Sequence, residues 1–196
     1  MPERPQFAVA VLAAGQSTRF GPDDKLTARL RGQRLGELAC QTLAGIDFAH
    51  RWVIAARADH ACAGNWRASG FTVAVNAQAV SGMGTSVALA ATLARDAQVD
   101  ALLIALADMP LVPAEHYLAL VARAAERGAT ALVASAAGCV RSPPAVFGRD
   151  HLIALAAIRG DVGARAMLGQ AELIACAPEL LIDIDDQQAL HRAMRP

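Results

Sequence analysis

The sequence predicts an α/β fold, a mostly parallel sheet with helices on both faces, in one domain over residues 1–196. Three observations carry this. Near-continuous apolar runs, Phe-Ala-Val-Ala-Val-Leu-Ala at 7–13 and Ala-Leu-Leu-Ile-Ala-Leu at 101–106, have the composition of strands buried on both faces. Amphipathic or alanine-rich stretches of helical length separate such runs, as crossover connections between parallel strands require. A length of 196 residues supports one sizeable core and is short for two.

Taken in order, residues 7–13 form a buried strand and 35–44 a helix. Residues 51–56 and 71–75 are the second and third strands, and 86–94 is an alanine-rich helix entered from a turn at 82–85. The fourth strand, 101–106, ends at Ala107-Asp-Met-Pro110. Pro113 opens a helix that runs to about Arg127, where Gly128 stops it. Further strands are expected at 131–134 and 145–147 around a turn at 141–144. After Gly148 the rhythm changes: a helix, a turn at 160–163, a short helix, edge elements at 173–176 and 181–184, and a last helix at 187–194.

Bulk properties narrow the partners. Apolar residues make up 55% of the chain, and 18 basic residues balance 18 acidic ones. No basic field exists to attract nucleic acid or an anionic membrane, so a small-molecule partner is expected. Cys40, Cys62, Cys139 and Cys176 are scattered with no C-x-x-C pair, which predicts reduced thiols in a cytoplasmic protein. Met1-Pro-Glu-Arg-Pro does not read as a leader, and no apolar run is long enough to span a bilayer.

Ligands of open α/β sheets sit beyond the carboxyl ends of the strands, and three unusual segments fall there. The first, residues 12–25, is a glycine turn carrying Ser17, Arg19 and Lys25. Gly15 and Gly21 allow close backbone approach, and the two cations suit a polyphosphate, although solvated loop charges would look the same. The segment has neither the Walker ending nor the G-x-G-x-x-G spacing. The second, residues 76–86, runs from Asn76 through Gly82, Met83 and Gly84 to Thr85 and Ser86; it suits a base or phosphate at a helix N-terminus, or an ordinary capped turn.

Asp108 is the third. A carboxylate at a strand end suits Mg²⁺, which takes one or two carboxylates and completes its shell with phosphate oxygens and water; a turn before Pro110 is the plain alternative. Alternation would put Asp183 and Asp185 on one face of a short strand, where one could meet Asp108, while Asp186 could cap the last helix. The five histidines (His50, His60, His116, His151 and His191) show no triad or metal spacing, and most read as surface or helix-end residues. Trp52 and Trp66 read as packing residues, and Ser17 lies in no nucleophile elbow.

With these residues in view, the chain resembles the nucleotidyltransferases of molybdenum cofactor biosynthesis. The resemblance runs through Leu12-Ala-Ala-Gly-x-Ser-x-Arg-Phe-Gly…Lys25, Gly82-Met-Gly-Thr-Ser86, Ala107-Asp-Met-Pro110, Arg141-Ser-Pro-Pro-Ala-Val-Phe147, Gly160-Asp-Val-Gly-Ala-Arg165 and Asp183-Ile-Asp185. Gly82-Met83 with Gly160-Asp161-Val-Gly-Ala-Arg165 is similar to the CTP:molybdopterin cytidylyltransferase branch. Ala14, where guanylyltransferase relatives carry glycine, leans the same way. Departures fall on the acceptor side: Gly84 and Thr85 in place of serines, Ser142 in place of glycine, and Met109 in place of glutamine.

The resemblance implies a Rossmann-like three-layer sandwich of the nucleotide-diphospho-sugar transferase type. It implies Mg²⁺ (or Mn²⁺)-assisted transfer of CMP from CTP to the phosphate of molybdopterin, with loss of pyrophosphate and a molybdoenzyme as recipient of the product. Arg19, Lys25 and Asp108 would be catalytic. Leu12, Ala13, Ala14, Gly15, Ser17, Asn76, Gly82 and Met83, with Arg19 and Lys25, would bind the nucleotide. Asp108 and Asp185 would hold the metal, and Ser86, Arg141, Asp161 and Arg165 would serve the second substrate. GTP or another nucleotide, a sugar-phosphate acceptor, and a non-catalytic cofactor carrier are the alternatives.

Overall fold

The computed structural model describes residues 5–15, 20, 24–160 and 163–194, with residues 163–165 described in their backbone alone. It opens with β1 (Phe7–Ala13), buried along its whole length. A 3-10 turn, Lys25–Thr27, precedes a hairpin of β2 (Arg29–Leu30) and β3 (Gln33–Arg34), and then α1 (Leu35–Ala44). β4 (His50–Ala55), α2 (Ala63–Ala68), β5 (Thr72–Val75), α3 (Met83–Asp96) and β6 (Ala101–Leu106) complete a first half of repeated strand and helix. α4 (Ala114–Arg127), β7 (Leu132–Ala137), β8 (Val140–Gly148), α5 (Arg149–Ala156), α6 (Gly163–Leu168), β9 (Glu172–Ala175) and α7 (Gln187–Ala193) make up the rest.

Seven strands join in the order β5-β4-β1-β6-β8-β7-β9. All neighbouring pairs are parallel except those of β8, which runs antiparallel to β6 and to β7. The predicted class, a mostly parallel sheet in an α/β sandwich, is the one observed. α1 packs with α4 over one face, and α3 packs with α5 over the other. β1 and β6 are covered on both sides: Val9, Val11, Leu102 and Leu103 are fully buried. Each such side chain contributes about 1.5–3 kcal/mol through its removal from water. No helix among the described residues is long and apolar enough to cross a membrane.

The chain runs outward from β1 through β4 to β5 and then returns to the other side of β1 with β6. The gap between the carboxyl ends of β1 and β6 is therefore the topological switch point, where open sheets leave a crevice. Pairing of Leu12 with Leu106 brings Ala14 and Gly15 beside Asp108, and the Ala107 amide donates to the Leu12 carbonyl at 3.0 Å.

Two expectations need correction. The turn expected at 141–144 lies inside β8, and the chain reverses at Gly138 and Cys139 instead. The register jumps from Ala134–Ala145 to Ser135–Ser142. Pro143 and Pro144, which have no N–H to donate, occupy the residues that the jump leaves out of the ladder. The edge element expected at 181–184 is not a strand: a 3-10 turn, Pro178–Leu180, leads into an extended segment without a ladder. That segment is fixed by the Ile184 amide, which donates to the Asp108 carbonyl at 2.9 Å, and by full burial of the Ile184 side chain among Leu30, Leu35 and Leu190. The β2–β3 hairpin and α2 had no expectation. They are too short to carry a periodic signal.

Candidate active site

A cavity of about 440 Å³ opens at the switch point. Leu12, Ala14 and Gly15 form one wall and Leu106 and Asp108 the next. Residues 79–83 and Ser86, at the start of α3, close the third side. Val80 and Met83 leave an exposed apolar rim, at 78% and 54% exposure. Apart from Asp108, the lining is backbone, small side chains and apolar groups.

The third wall is held by a polar bracket. Asn76, buried just past β5, donates from Nδ2 to the hydroxyls of Thr85 (2.8 Å) and Ser86 (2.9 Å), and its Oδ1 accepts from the Gln78 amide. Thr85 in turn donates toward the carbonyls of Gly82 (2.8 Å) and Gln78 (3.0 Å). Gly82 sits at φ 106°, a conformation glycine adopts without strain, and turns the chain into α3 three residues earlier than expected. Gly84 faces the carbonyl of Gly160 so closely that a β-carbon would overlap it, and Ile158 Cγ2 would lie 2.8 Å away. Only glycine permits this docking of α3 against residues 158–160.

Asp108 belongs to a second feature as well. Carboxylate oxygens of Asp108, Asp183 and Asp185 lie within 4.8 Å of one another. The Lys25 ammonium lies among them, 2.5 Å from both Asp108 and Asp185 and 3.9 Å from Asp183. Burial opposes the charge on Lys25, but attraction to Asp108 and hydrogen bonds to Asp108 and Asp185 outweigh it, so its pKa lies above the ordinary lysine value. Loss of solvation, then repulsion from Asp108, holds the Asp183 carboxyl above the usual carboxylate range, with Lys25 offsetting part of the rise. Asp186 accepts from the Ala189 amide at 2.7 Å and caps α7, which anchors the far end of this segment.

These donors fit a hard divalent cation. Asp108 Oδ1 is buried with no hydrogen-bond partner among the described residues, and its other oxygen faces Lys25. An unpaired buried carboxylate oxygen beside two further carboxylates is an all-oxygen donor set of the kind magnesium or manganese takes.

Lys25 is aimed by residues that sequence reasoning missed. Asp24 Oδ1 accepts from the Leu26 amide at 3.0 Å and caps the 3-10 turn, while Asp24 Oδ2 meets His60 Nε2 at 2.6 Å. His60 Nδ1 accepts from the Cys62 amide at 3.1 Å, so Nε2 carries the hydrogen and donates to Asp24. The His60 ring stacks on Trp66, 4.7 Å between centroids, and Trp66 Nε1 donates to the Gly36 carbonyl at 2.7 Å. His60 and His116 are buried and partnered; His116 lies in the first turn of α4, so His60 is the exception to the expectation that most histidines sit at the surface or at helix ends. No spacing signal reveals this bracket, because His60 meets Asp24 across 36 residues.

The structure brings together Leu12, Ala14, Gly15, Gly82, Met83, Ser86 and Asp108 on the cavity, and Lys25, Asp108 and Asp185 in the cluster beside it. Ser86, read for the second substrate, stands on the cavity wall. Ala13 is buried at the strand end, and Asn76 sits behind the wall and shapes it. Arg141 is exposed on β8, paired with Ala136. Ser17, Arg19 and Asp161 lie outside the described residues, as does the side chain of Arg165. Leu106 and residues 79–81 line the cavity without having been singled out; their signal was adjacency to Asp108 and to Gly82.

Comparison with known proteins agrees with this layout. Residues 9–174 match the MobA-like NTP transferase domain. The chain is 32% identical over 178 residues to the purine catabolism protein PucB of Bacillus subtilis (strain 168), covering 86% of this chain and 83% of PucB. The structure is similar to Rv0371c from Mycobacterium tuberculosis H37Rv, with TM-score 0.75, 21% identity, and 97% and 98% of the two chains covered. Rv0371c has also been solved in complex with manganese. Molybdopterin-guanine dinucleotide biosynthesis protein A from Archaeoglobus fulgidus has TM-score 0.68 at 18% identity, over 95% and 96% of the two chains. The two structural likenesses show the shared fold, while the match over residues 9–174 and the relation to PucB go further: the chain belongs to the MobA-like NTP transferase family and is a nucleotidyltransferase.

Proposed function

We propose that this chain transfers CMP from CTP to the terminal phosphate of a molybdopterin-type cofactor and releases pyrophosphate. One observation carries the reading: Asp108 is at once a wall of the otherwise uncharged cavity and a member of the carboxylate cluster. A nucleotide whose base lies in the cavity then has its phosphates at the cluster. Main-chain groups of Leu12, Ala13, Ala14 and Gly15, with Gly82 and Met83, would read the base. Ala14 stands in that wall, where guanylyltransferase relatives carry glycine, and this difference in residue type supports cytosine over guanine.

In the reaction an acceptor phosphate oxygen forms a bond to the α-phosphorus, and the bond from that phosphorus to the β-phosphate oxygen breaks. The attacker is already an anion, so the site needs alignment and charge neutralisation rather than a strong general base. Arg19 and Lys25 would neutralise the triphosphate. Asp108 and Asp185, with Asp183 beside them, would hold Mg²⁺ or Mn²⁺, which when bound offsets the charge developing on the phosphoryl oxygens. Ser86, Arg141, Asp161 and Arg165 are assigned to the acceptor side. The free thiols of Cys40, Cys62, Cys139 and Cys176 support a cytoplasmic setting, with a molybdoenzyme receiving the product.

A GTP-dependent reading is the second, favoured by the Archaeoglobus protein, whose name refers to molybdopterin-guanine dinucleotide. Pyrophosphate release measured with CTP, GTP, ATP and UTP, with and without molybdenum-loaded pterin, separates the two. Release with CTP that depends on pterin is expected. Release with GTP in preference to CTP overturns the base assignment, and release without pterin overturns the acceptor. Tight pterin binding with no release under any nucleotide would make the chain a carrier.

A further inference from the structure

The Lys25 ammonium holds carboxylate oxygens that a divalent cation in this cluster would draw on, 2.5 Å from Asp108 Oδ2 and from Asp185 Oδ1, and its side chain is 8% exposed. It pairs with two of the three carboxylates that form the candidate metal site, and it stands 3.9 Å from the third. A divalent cation cannot join the same oxygens while the ammonium stays there, because two like charges would share one partly buried space. The ammonium needs another anion before it can leave. A polyphosphate arriving beside Gly15 and Asp108 brings one, and it also brings the oxygens that complete a magnesium shell.

We propose that Lys25 is the resident counter-ion of the metal site, and that the polyphosphate draws its ammonium off the carboxylates so that metal and nucleotide bind together. This rests on the reading of the cluster as the metal site. Without nucleotide, Lys25 keeps three mutually repelling carboxylates compact and neutralises part of their charge. With nucleotide, the same lysine moves to the phosphates and the carboxylates are released to the metal. One cation serves both states, so the tight site is assembled when the substrate is present. By linkage, metal tightens polyphosphate binding by the factor through which polyphosphate tightens metal binding.

The test is Mn²⁺ binding to the full chain, followed by the electron paramagnetic resonance signal of the free ion, with tripolyphosphate as the anion. Tripolyphosphate has no base and no acceptor, so the outcome does not depend on whether CTP is the substrate. Mn²⁺ bound by tripolyphosphate alone is measured separately and subtracted. The wild-type chain alone is expected to bind Mn²⁺ weakly, and Lys25→Met alone about tenfold or more tightly than that, within the ordinary range of coupling between sites. Tripolyphosphate should tighten Mn²⁺ binding to the wild-type chain and do less for Lys25→Met. Lys25→Met binding Mn²⁺ no more tightly than wild type overturns the proposal. If that variant does not fold, the wild-type pair decides: equal Mn²⁺ affinity with and without tripolyphosphate overturns the exchange, and a rise supports it. Loss of CTP turnover with the Mn²⁺ exchange intact would instead count against the cytidylyl reading alone.

Discussion

The cavity draws its walls from the ends of β1 and β6, which are paired in the sheet, and from the turn into α3. The carboxylate cluster shares Asp108 with it but joins Lys25 to Asp185 across 160 residues of chain. Apart from the shared Asp108, one region presents backbone, apolar side chains and the two serines Ser81 and Ser86; the other concentrates three carboxylates around one ammonium. The difference teaches how the work is divided. Shape at the cavity comes from the parallel scaffold and from the close backbone approach of Gly84 to Gly160, where no β-carbon fits. Charge at the cluster comes from distant segments tied together by Ile184 and by the Asp24 cap, so it depends on side-chain identity.

Substitution on each side tests that division, and the largest effect is expected at the cluster. Asp108→Ala should lower kcat for pyrophosphate release by about a thousandfold, the several kcal/mol that metal charge stabilisation supplies. Its melting temperature should stay near wild type, because Asp185 remains to pair with Lys25. Near-normal transfer by this variant in excess Mg²⁺ would remove Asp108 from the metal site.

A smaller effect of a different kind is expected at the cavity. Gly84→Ser puts a β-carbon onto the Gly160 carbonyl, against backbone that cannot move aside as a flexible side chain could. Overpacking of this kind costs about 1–3 kcal/mol, and a chain of this size loses roughly 2–4 °C for each kcal/mol. Since α3 must shift to relieve the overlap, KM for the nucleotide should rise more than kcat falls. A variant with unchanged melting temperature and KM would show that α3 and residues 158–160 are not held by this contact.

The same division explains what could be read in advance. β1, α1 and β6 begin and end where the sequence places them, because strands buried on both faces leave uninterrupted apolar runs and a helix of ten residues leaves a periodic one. Glycines at 82 and 84 were legible because backbone approach leaves a mark in residue type. Pro143 and Pro144 misled, since paired prolines ordinarily mark a turn and here fall at a register shift within β8. The residue types of the cluster were visible, but not the placement of Lys25 among Asp108, Asp183 and Asp185. That follows from how α7 packs on Leu30 and Leu35 and how the segment before it bonds to the Asp108 carbonyl, and no local pattern encodes it. His60 was opaque for the same reason: its partners Asp24 and Trp66 are set by tertiary packing.

The smallest effect lies outside both regions, at a buried polar chain that fixes the bulged stretch of β8. His116 Nε2 lies 2.8 Å from Ser135 Oγ, and Ser135 donates its only hydroxyl proton to the Pro144 carbonyl, also at 2.8 Å. The histidine must therefore donate from Nε2. Burial disfavours its charged form and lowers its pKa. A histidine whose pKa is lower folded than unfolded stabilises the fold above the unfolded value of about 6.5, and that contribution is lost as pH falls toward the folded value. Asp183 acts with the opposite sign. Its carboxyl is raised in the folded chain, so its effect makes stability fall as pH rises through the raised value. The difference between wild type and His116→Asn isolates the histidine. Denaturant melts from pH 7.5 to 5.5 should show wild type losing its advantage over the variant as the pH falls. An advantage that stays constant would mean that His116 charges as readily in the folded chain as in the unfolded one, and that burial does not control it.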